Sequence, residues 1–322
     1  MPTLLDLAAR SKSKTNQLLT SDLVKRSGLL RTMIFSKASH SSAGYDIEIV
    51  SDNVVEASFR AYGAGISSVD PKSHEVTHQL KPFSVYHKVD AAYIANYEGG
   101  LSQYLIDKAP QIAEGAGQKL ATQMFYGSDT SGFEGLRQIA IKNNNKSGVT
   151  VCFKPAGAAA SSGTTSIYCV RWDPREMCGL YKDGAFQRGA FKIKVMNGGN
   201  PVSKEDSDGN TYYVYEFAFE TYLSLKNLSN IAVSMVYNLK DAATFYPTLA
   251  LMRKAKRAVR GMRDNTYFYV NSTGQGLIDD NVSTTIYRDP NDTEAARELE
   301  TVSGIRIVID DNISSDEDAT EV

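Results

Sequence analysis

The stretch from Gln118 to Leu136, QKLATQMFYGSDTSGFEGL, constrains the fold more than any other part of the chain. A helical pattern runs straight into Phe-Tyr-Gly and then into a short polar loop that ends Phe-Glu-Gly-Leu. Ile112, Ala116, Leu120 and Met124 recur every four positions, which gives a helix one apolar stripe that something must cover. Gly127 can take the left-handed conformation that closes a helix. Gly132 and Gly135 then allow a tight turn.

The helical segment is expected within residues 91–126, with Pro110 near a possible start and Gly115 and Gly117 weakening its middle. Before it, from Tyr45, the period is two. Tyr45, Ile47 and Ile49 alternate with Asp46, Glu48 and Val50, and Phe59 to Tyr62 leads into Gly63-Ala64-Gly65. A second alternating run, Val76, His78, Leu80, Phe83, Val85, His87 and Val89, returns from that glycine tip. Residues 41–90 are therefore expected to form one long two-stranded hairpin. Such a hairpin is marginal alone in water, so it needs other material to pack on, most simply an adjacent subunit. Residues 1–40 hold two short amphipathic pieces split by SKSKTNQ and read as an arm lying on neighbouring material.

Strand-rich sequence follows the Phe-Glu-Gly-Leu turn: VTVCF, SIYCVRW, AFKIKV, TYYVYEFAFE and NIAVSMVYNL, with SKEDSDGN as a hairpin tip. The last third differs. ATFYPTLALMRKAKRAVRGM puts Phe245, Leu249, Met252 and Val259 on one face and predicts a helix of about five turns. The strand TYFYVN, a mixed segment over 272–300 and a final strand SGIRIVID come after it, suggesting a second subdomain from near Asp241.

Motifs for chemistry are few. His74-Glu75-Val76-Thr77-His78 matches the H-E-x-x-H pattern of zinc hydrolases, with Glu98 downstream as a third ligand, but that pattern works on a helix. Val76 and Thr77 are β-branched and the alternation continues beyond them. On a strand, residues i and i+4 lie roughly 13 Å apart, too far for one ion. Two exposed strand histidines are the plainer reading, and the zinc hydrolase stays as the alternative from another class. Asp206 to Asn210 opens like a calcium loop but lacks its full spacing and closing glutamate. Phosphate-binding glycine loops and serine nucleophile elbows are missing. No catalytic residue, cofactor or metal is expected, and the chain does not read as an enzyme.

With 42% hydrophobic and 22% charged residues the chain should fold, and a net charge of −2 argues against a dedicated nucleic-acid binder. The charge is unevenly placed. Residues 1–40 carry seven Lys or Arg against two Asp, whereas six acidic and no basic residues follow Arg306. Arg253, Lys254, Lys256, Arg257, Arg260 and Arg263 concentrate six cations in the late helix, either a phosphate-contacting patch or a solvated or subunit-facing side. Cys152, Cys169 and Cys178 have no metal-ligand spacing and read as buried thiols in a reducing compartment. No run is long and apolar enough for a membrane span, the N-terminus does not read as a signal peptide, and no membrane partner is expected.

The order helix, Phe-Tyr-Gly, loop, Gly-Leu resembles the end of the long "spine" helix in major capsid proteins of tailed bacteriophages, the Hong Kong 97-type fold. The order is preserved through IYCVRWDP, CGLYKDG and VYNLKD, and is similar to that of the short-tailed phage subgroup. The resemblance implies an α+β capsid fold. It implies an N-terminal arm (1–40), an extended loop or E-loop hairpin (41–92), a P domain with spine helix (93–240) and an A domain with acidic tail (241–322). It further implies a virion protein, assembled in the host cytoplasm into hexamers and pentamers of an icosahedral head around double-stranded DNA. Portal protein and possibly scaffolding and decoration proteins would be its partners. An encapsulin-like compartment is the alternative on the same architecture. Phe59, Tyr62, Gly63, Gly65 and Ile66 are then the candidates for intersubunit contact, and Arg10, Lys12, Lys14, Lys25, Arg26 and Arg31 those for the DNA-facing lumen. The acidic tail after Asp310 would point away from DNA. No long charged extension precedes the arm, so a fused scaffold removed by a protease is not expected.

Overall fold

A computed structural model describes residues 23–40, 42–51, 59–65, 68, 70, 72–156, 162–182, 192–282 and 301–318. Its spine is helix α3, Gly100–Tyr126, preceded by the short helices α1 (Gly28–Thr32) and α2 (Ala91–Ala95). At 1.5 Å per residue its 27 residues span about 40 Å. Pro110 lies inside it rather than near its start, so the helix is carried through the proline by its neighbours. Those neighbours are clear from burial: Ala109, Ala113, Ala116, Leu120, Met124 and Phe125 all face the main core. The helix closes as expected on Gly127, at φ 62°, whose N–H donates to Gln123 O at 2.8 Å.

Gln123 explains the loop beyond that cap. Its buried amide donates to the Asp129 and Phe133 carbonyls and accepts from the Asp129 N–H. Gln138, on helix α4 (Leu136–Asn144), accepts from Gly135 N–H and donates to Gly127 O. A Cβ on Gly135 would sit 2.3 Å from Gly127 N, so the turn is closed too tightly for any side chain there.

Two six-stranded sheets flank this spine. The first has the order β1-β7-β10-β4, with β8 and β9 also pairing β10; the strands are β1 Phe35–Lys37, β4 Lys81–Asp90, β7 Met177–Tyr181, β8 Lys192–Val195, β9 Val202–Glu205 and β10 Thr211–Asn227. The expected tip SKEDSDGN gives Ser203–Glu205 to β9 and turns into β10 over 206–210, where Asp206 accepts backbone N–H groups from Asp208 and Asn210. The second sheet runs β13-β14-β12-β6-β11-β5, built from Thr301–Val302, Ile305–Ile309, Thr266–Val270, Thr165–Arg171, Val233–Leu239 and Cys152–Phe153. Alternate residues of its central strands enter two cores. Tyr168, Val170, Met235 and Tyr269 join the spine helix, while Ile167, Cys169, Val236 and Phe268 join helices α5 (Leu249–Ala258) and α6 (Ser272–Val282). Both faces are covered, hence the seven consecutive buried residues of β11. All three cysteines are buried and free, and burial raises their thiols, Cys152 and Cys178 to about 12.

Several expectations are corrected. The return strand of the hairpin is divided at Leu80. Only β3 (Ser73–Gln79) pairs with β2 (Tyr45–Ser51), whereas β4 leaves the ribbon and pairs with β10 from Lys81↔Leu223 to Asp90↔Val214. Strands from both sides of Asp241 share one sheet, since β12 and β14 continue the sheet begun by β6 and β11. The late helix is ten residues, because Pro247 precedes its Thr248 cap and Arg260, at φ 49°, turns the chain away. The mixed segment begins with helix α6.

The described part of the arm belongs to the body. Leu23, Val24, Leu29, Leu30, Met33 and Phe35 lie in the main core, and β1 pairs parallel with β7. Gly117 permits this packing, since a Cβ there would stand 1.8 Å from Leu23 O. The acidic tail is also partly internal. Asp310 accepts from Ser27 Oγ and Leu29 N–H at 2.8 Å each, and Glu317 accepts from Ser166 Oγ at 2.6 Å and from Tyr126 OH at 2.5 Å. Burial raises the Glu317 carboxyl above its ordinary value.

Candidate assembly interface

The β2–β3 ribbon is the least self-sufficient part of the molecule. Its register runs from Tyr45↔Gln79 to Ser51↔Ser73, and it forms a two-stranded sheet of its own. Ile49 is 70% exposed, and Phe59 and Tyr62, toward the tip, are fully exposed. Gly63 and Gly65 share that exposure, and Gly63 has φ 83°, so the tip turns where a glycine allows it. Ile66 lies outside the described residues. Two large aromatic rings and an aliphatic side chain are thus left in water on an element that is marginal by itself.

By contrast, the base of the ribbon is fastened by charge. Lys226, near the C-terminal end of β10, is 3% exposed and forms ion pairs with Glu48 and, at 3.6 Å, with Asp46 Oδ2. Asp46 is itself 2% exposed, and its other oxygen accepts from Ser39 N–H at 2.7 Å. Two carboxylates on one strand of the ribbon thus meet one ammonium on the first sheet. This fixes direction more than it adds stability, because a desolvated pair gains little net energy but costs several kcal/mol when one partner is lost.

His78 completes the joint. Its Nε2 accepts from Asn227 N–H at 3.3 Å, which requires a neutral ring with its proton on Nδ1. Burial is the largest influence on it and lowers its pKa below the usual 6.5. The H-E-x-x-H residues therefore lie on a strand, as the sequence implies, and the helical spacing needed for a shared zinc is not formed. His74 is exposed, but His78 is half-buried and not the second exposed histidine expected, because β3 turns it onto β10. Among the described residues no group of three or more His, Cys, Asp or Glu side chains could hold a metal.

A cleft of about 700 Å³ opens between the ribbon and α4, lined by Val76 and His78 on one side and Phe133, Ile139 and Lys146 on the other. The apolar N-terminal end of the spine is packed instead by an aromatic group, with Tyr97 and Tyr104 edge to face at 5.3 Å and His87 bonded to Tyr104 OH at 2.8 Å.

The expected lumen cations divide. Arg10, Lys12 and Lys14 lie outside the described residues. Arg26 pairs with Glu114 of the spine, and Arg31 donates to the carbonyls of Val24 and Lys25, so both guanidinium groups are partly used by the fold; Lys25 is exposed. Sequence reasoning missed Lys226, Gln123 and Glu317. A lysine in the apolar run Tyr222-Leu223-Ser224-Leu225-Lys226 was the one available signal for the first.

A family model described as "Major capsid protein GP7" matches residues 21–321. Among solved structures, that of bacteriophage Epsilon15 is similar over 89% of this chain and 87% of its own, at 16% identity and a TM-score of 0.61. The bacteriophage JBD30 capsid is similar over 97% and 98%, at 10% identity and 0.51. An encapsulin complex, holo-SrpI from Synechococcus elongatus PCC 7942, covers 65% of the chain and 86% of its own at 12% identity and 0.41, a level on which no reading rests. No curated protein matches the chain by sequence.

Proposed function

The chain belongs to the Major capsid protein GP7 family, and on that premise we propose that it forms hexamers and pentamers which close an icosahedral head around double-stranded DNA. Its role is structural, that of a tailed-phage major capsid protein with a Hong Kong 97-like fold. What it does follows from association. Contacts of modest strength, repeated around closed symmetry and shared among several neighbours, add up to a stable shell.

The single observation that carries this reading is the ribbon whose base is locked by Lys226 and whose far end leaves Phe59 and Tyr62 in water. A neighbouring copy is the natural cover, with Phe59, Tyr62, Gly63, Gly65 and Ile66 at the contact. On this reading residues 93–240 are the P domain and 241–322 the A domain, and the sheet to which β6, β11, β12 and β14 all contribute supports a tile that acts as one piece. Arg10, Lys12 and Lys14 remain the arm's candidates for the lumen. Portal, scaffolding and decoration proteins complete the partners, and assembly takes place in the host cytoplasm before the protein becomes part of the virion. Deleting residues 59–66 tests the reading by electron microscopy. Folded subunits that form no shells are expected; normal shells from the deletion contradict it.

A further inference from the structure

From Ala242 to Arg263 the chain holds six cations and no carboxylate. Helix α5 turns Met252 and Ala255 into the core, followed by Val259, and this leaves Arg253, Lys254, Arg257, Arg260 and Arg263 exposed. Among the described residues, none of these five lies within ion-pair distance of a carboxylate. Lys256 donates to Ser303 O at 2.7 Å and Arg257 Nε to Arg253 O at 3.3 Å, and neither contact neutralises a charge. Arg253, Lys254, Lys256 and Arg257 with Ala250 and Ser303 line an open groove of about 460 Å³, and among the described residues no acidic side chain contributes to it.

Like charges three and four residues apart oppose the helix that carries them, so this face is held in a state that an anion would relieve. Two kinds of partner could supply negative charge. A protein surface would normally find apolar or aromatic anchors at the centre of its contact, with lysine scarce there. Among the described residues this groove is lined by lysine and arginine with no aromatic ring. Stacking on bases is excluded for the same reason, and a single strand would gain little from it. A duplex backbone asks only for cations: it presents one charge per about 1.7 Å of axis, so Arg253 and Arg257, about 6 Å apart along the helix, meet phosphate in any register.

We propose that the outer face of α5 binds the phosphates of double-stranded nucleic acid without reading its bases. The proposal rests on the capsid reading for the source of the duplex, and it places the nucleic-acid contact on the second sheet's outer helix rather than on Arg26 and Arg31, which the fold partly uses.

The test is a fluorescence-anisotropy titration of the unassembled full-length subunit with a short duplex, between about 50 and about 200 mM salt. Four engaged cations give a slope of log K against log salt of about −3.6, and Arg253→Gln with Arg257→Gln should bring it to about −1.8. Unchanged circular dichroism shows that the variant is folded, and Lys119→Gln with Lys142→Gln, on α3 and α4, should leave the slope as it was. Equal slopes for the α5 variant and the unaltered chain overturn the proposal. So does an α5 variant that binds duplex normally but no longer assembles, which would make the face a subunit contact. Shell formation by the unaltered chain is scored separately by electron microscopy, so a failure of the capsid reading is distinguishable from a failure of this one.

Discussion

The β2–β3 ribbon and the β6–β11 pair of the second sheet are both antiparallel pairs of strand-forming residues with opposite fates. β2 alternates Tyr45, Ile47 and Ile49 with other residues, whereas β6 carries the unbroken run Ile167 to Val170. Every residue of β11 is buried between the spine helix on one face and α5 and α6 on the other. Ile49 of the ribbon, in contrast, faces water at 70% exposure. Strand propensity does not separate the two. The difference is cover: the sheet finds both of its covering layers within the chain, and the ribbon finds only a joint at its base. A subunit built this way is stable by itself but incomplete, which is what a shell protein requires.

The largest effect that could break this contrast is in the sheet. Phe268→Ala, in a fully buried site between β6 and β14, should destabilise the subunit by about 3–5 kcal/mol in denaturant unfolding. Ile49→Ala in the same assay should change it by less than about 0.5 kcal/mol while lowering the yield of shells. Equal losses in the two would show that the ribbon is already covered within one chain.

At the joint, Lys226→Met should cost about 3 kcal/mol, since it leaves the buried Asp46 without its cation. Double substitution with Asp46→Asn should recover part of that loss. If the single variant is neutral, the ribbon's orientation is set elsewhere.

Acid should sharpen the contrast more gently. His78 is held neutral in the folded protein, below its ordinary 6.5, in a site facing Asp46 and Glu48 of β2 and Lys226 of β10. The unfolded chain therefore binds more protons just below pH 6.5, so the joint's contribution is full above that value and falls as the pH drops toward the lowered folded value. The ribbon, not the second sheet, should loosen in that window, measured by proteolysis of the free subunit, and His78→Gln should flatten the dependence. A ribbon equally resistant at pH 7 and pH 5 would remove the histidine from the account.

Much of this was legible in the residues. The helix stop at Gly127, the strand character of HEVTH, the turn within SKEDSDGN and the long strands of both sheets follow from period and turn chemistry, whereas β1, β7 and β9 do not. What was not legible depends on partners distant in sequence. The alternation passes unbroken through Leu80, so nothing local marks where β3 ends and β4 changes its partner to β10. Gly117 reads as a weakness in a helix until Leu23 is found pressed against it. The ion pair of Lys226 with Glu48 spans 178 positions, and Asp310 and Glu317 look like parts of a solvated tail until Ser27, Tyr126 and Ser166 are seen to bind them. The exposed tip was readable because its aromatic residues beside glycines lack any local cover.

Hydrogen exchange resolved by segment, on the free subunit and on the assembled shell, tests the central claim most directly. The account expects the amides of Tyr45–Ser51 and Ser73–Gln79 to exchange quickly in the free subunit and to become protected on assembly, while those of Thr165–Arg171 and Val233–Leu239 are protected in both states. A ribbon as protected in the free subunit as in the shell would contradict it.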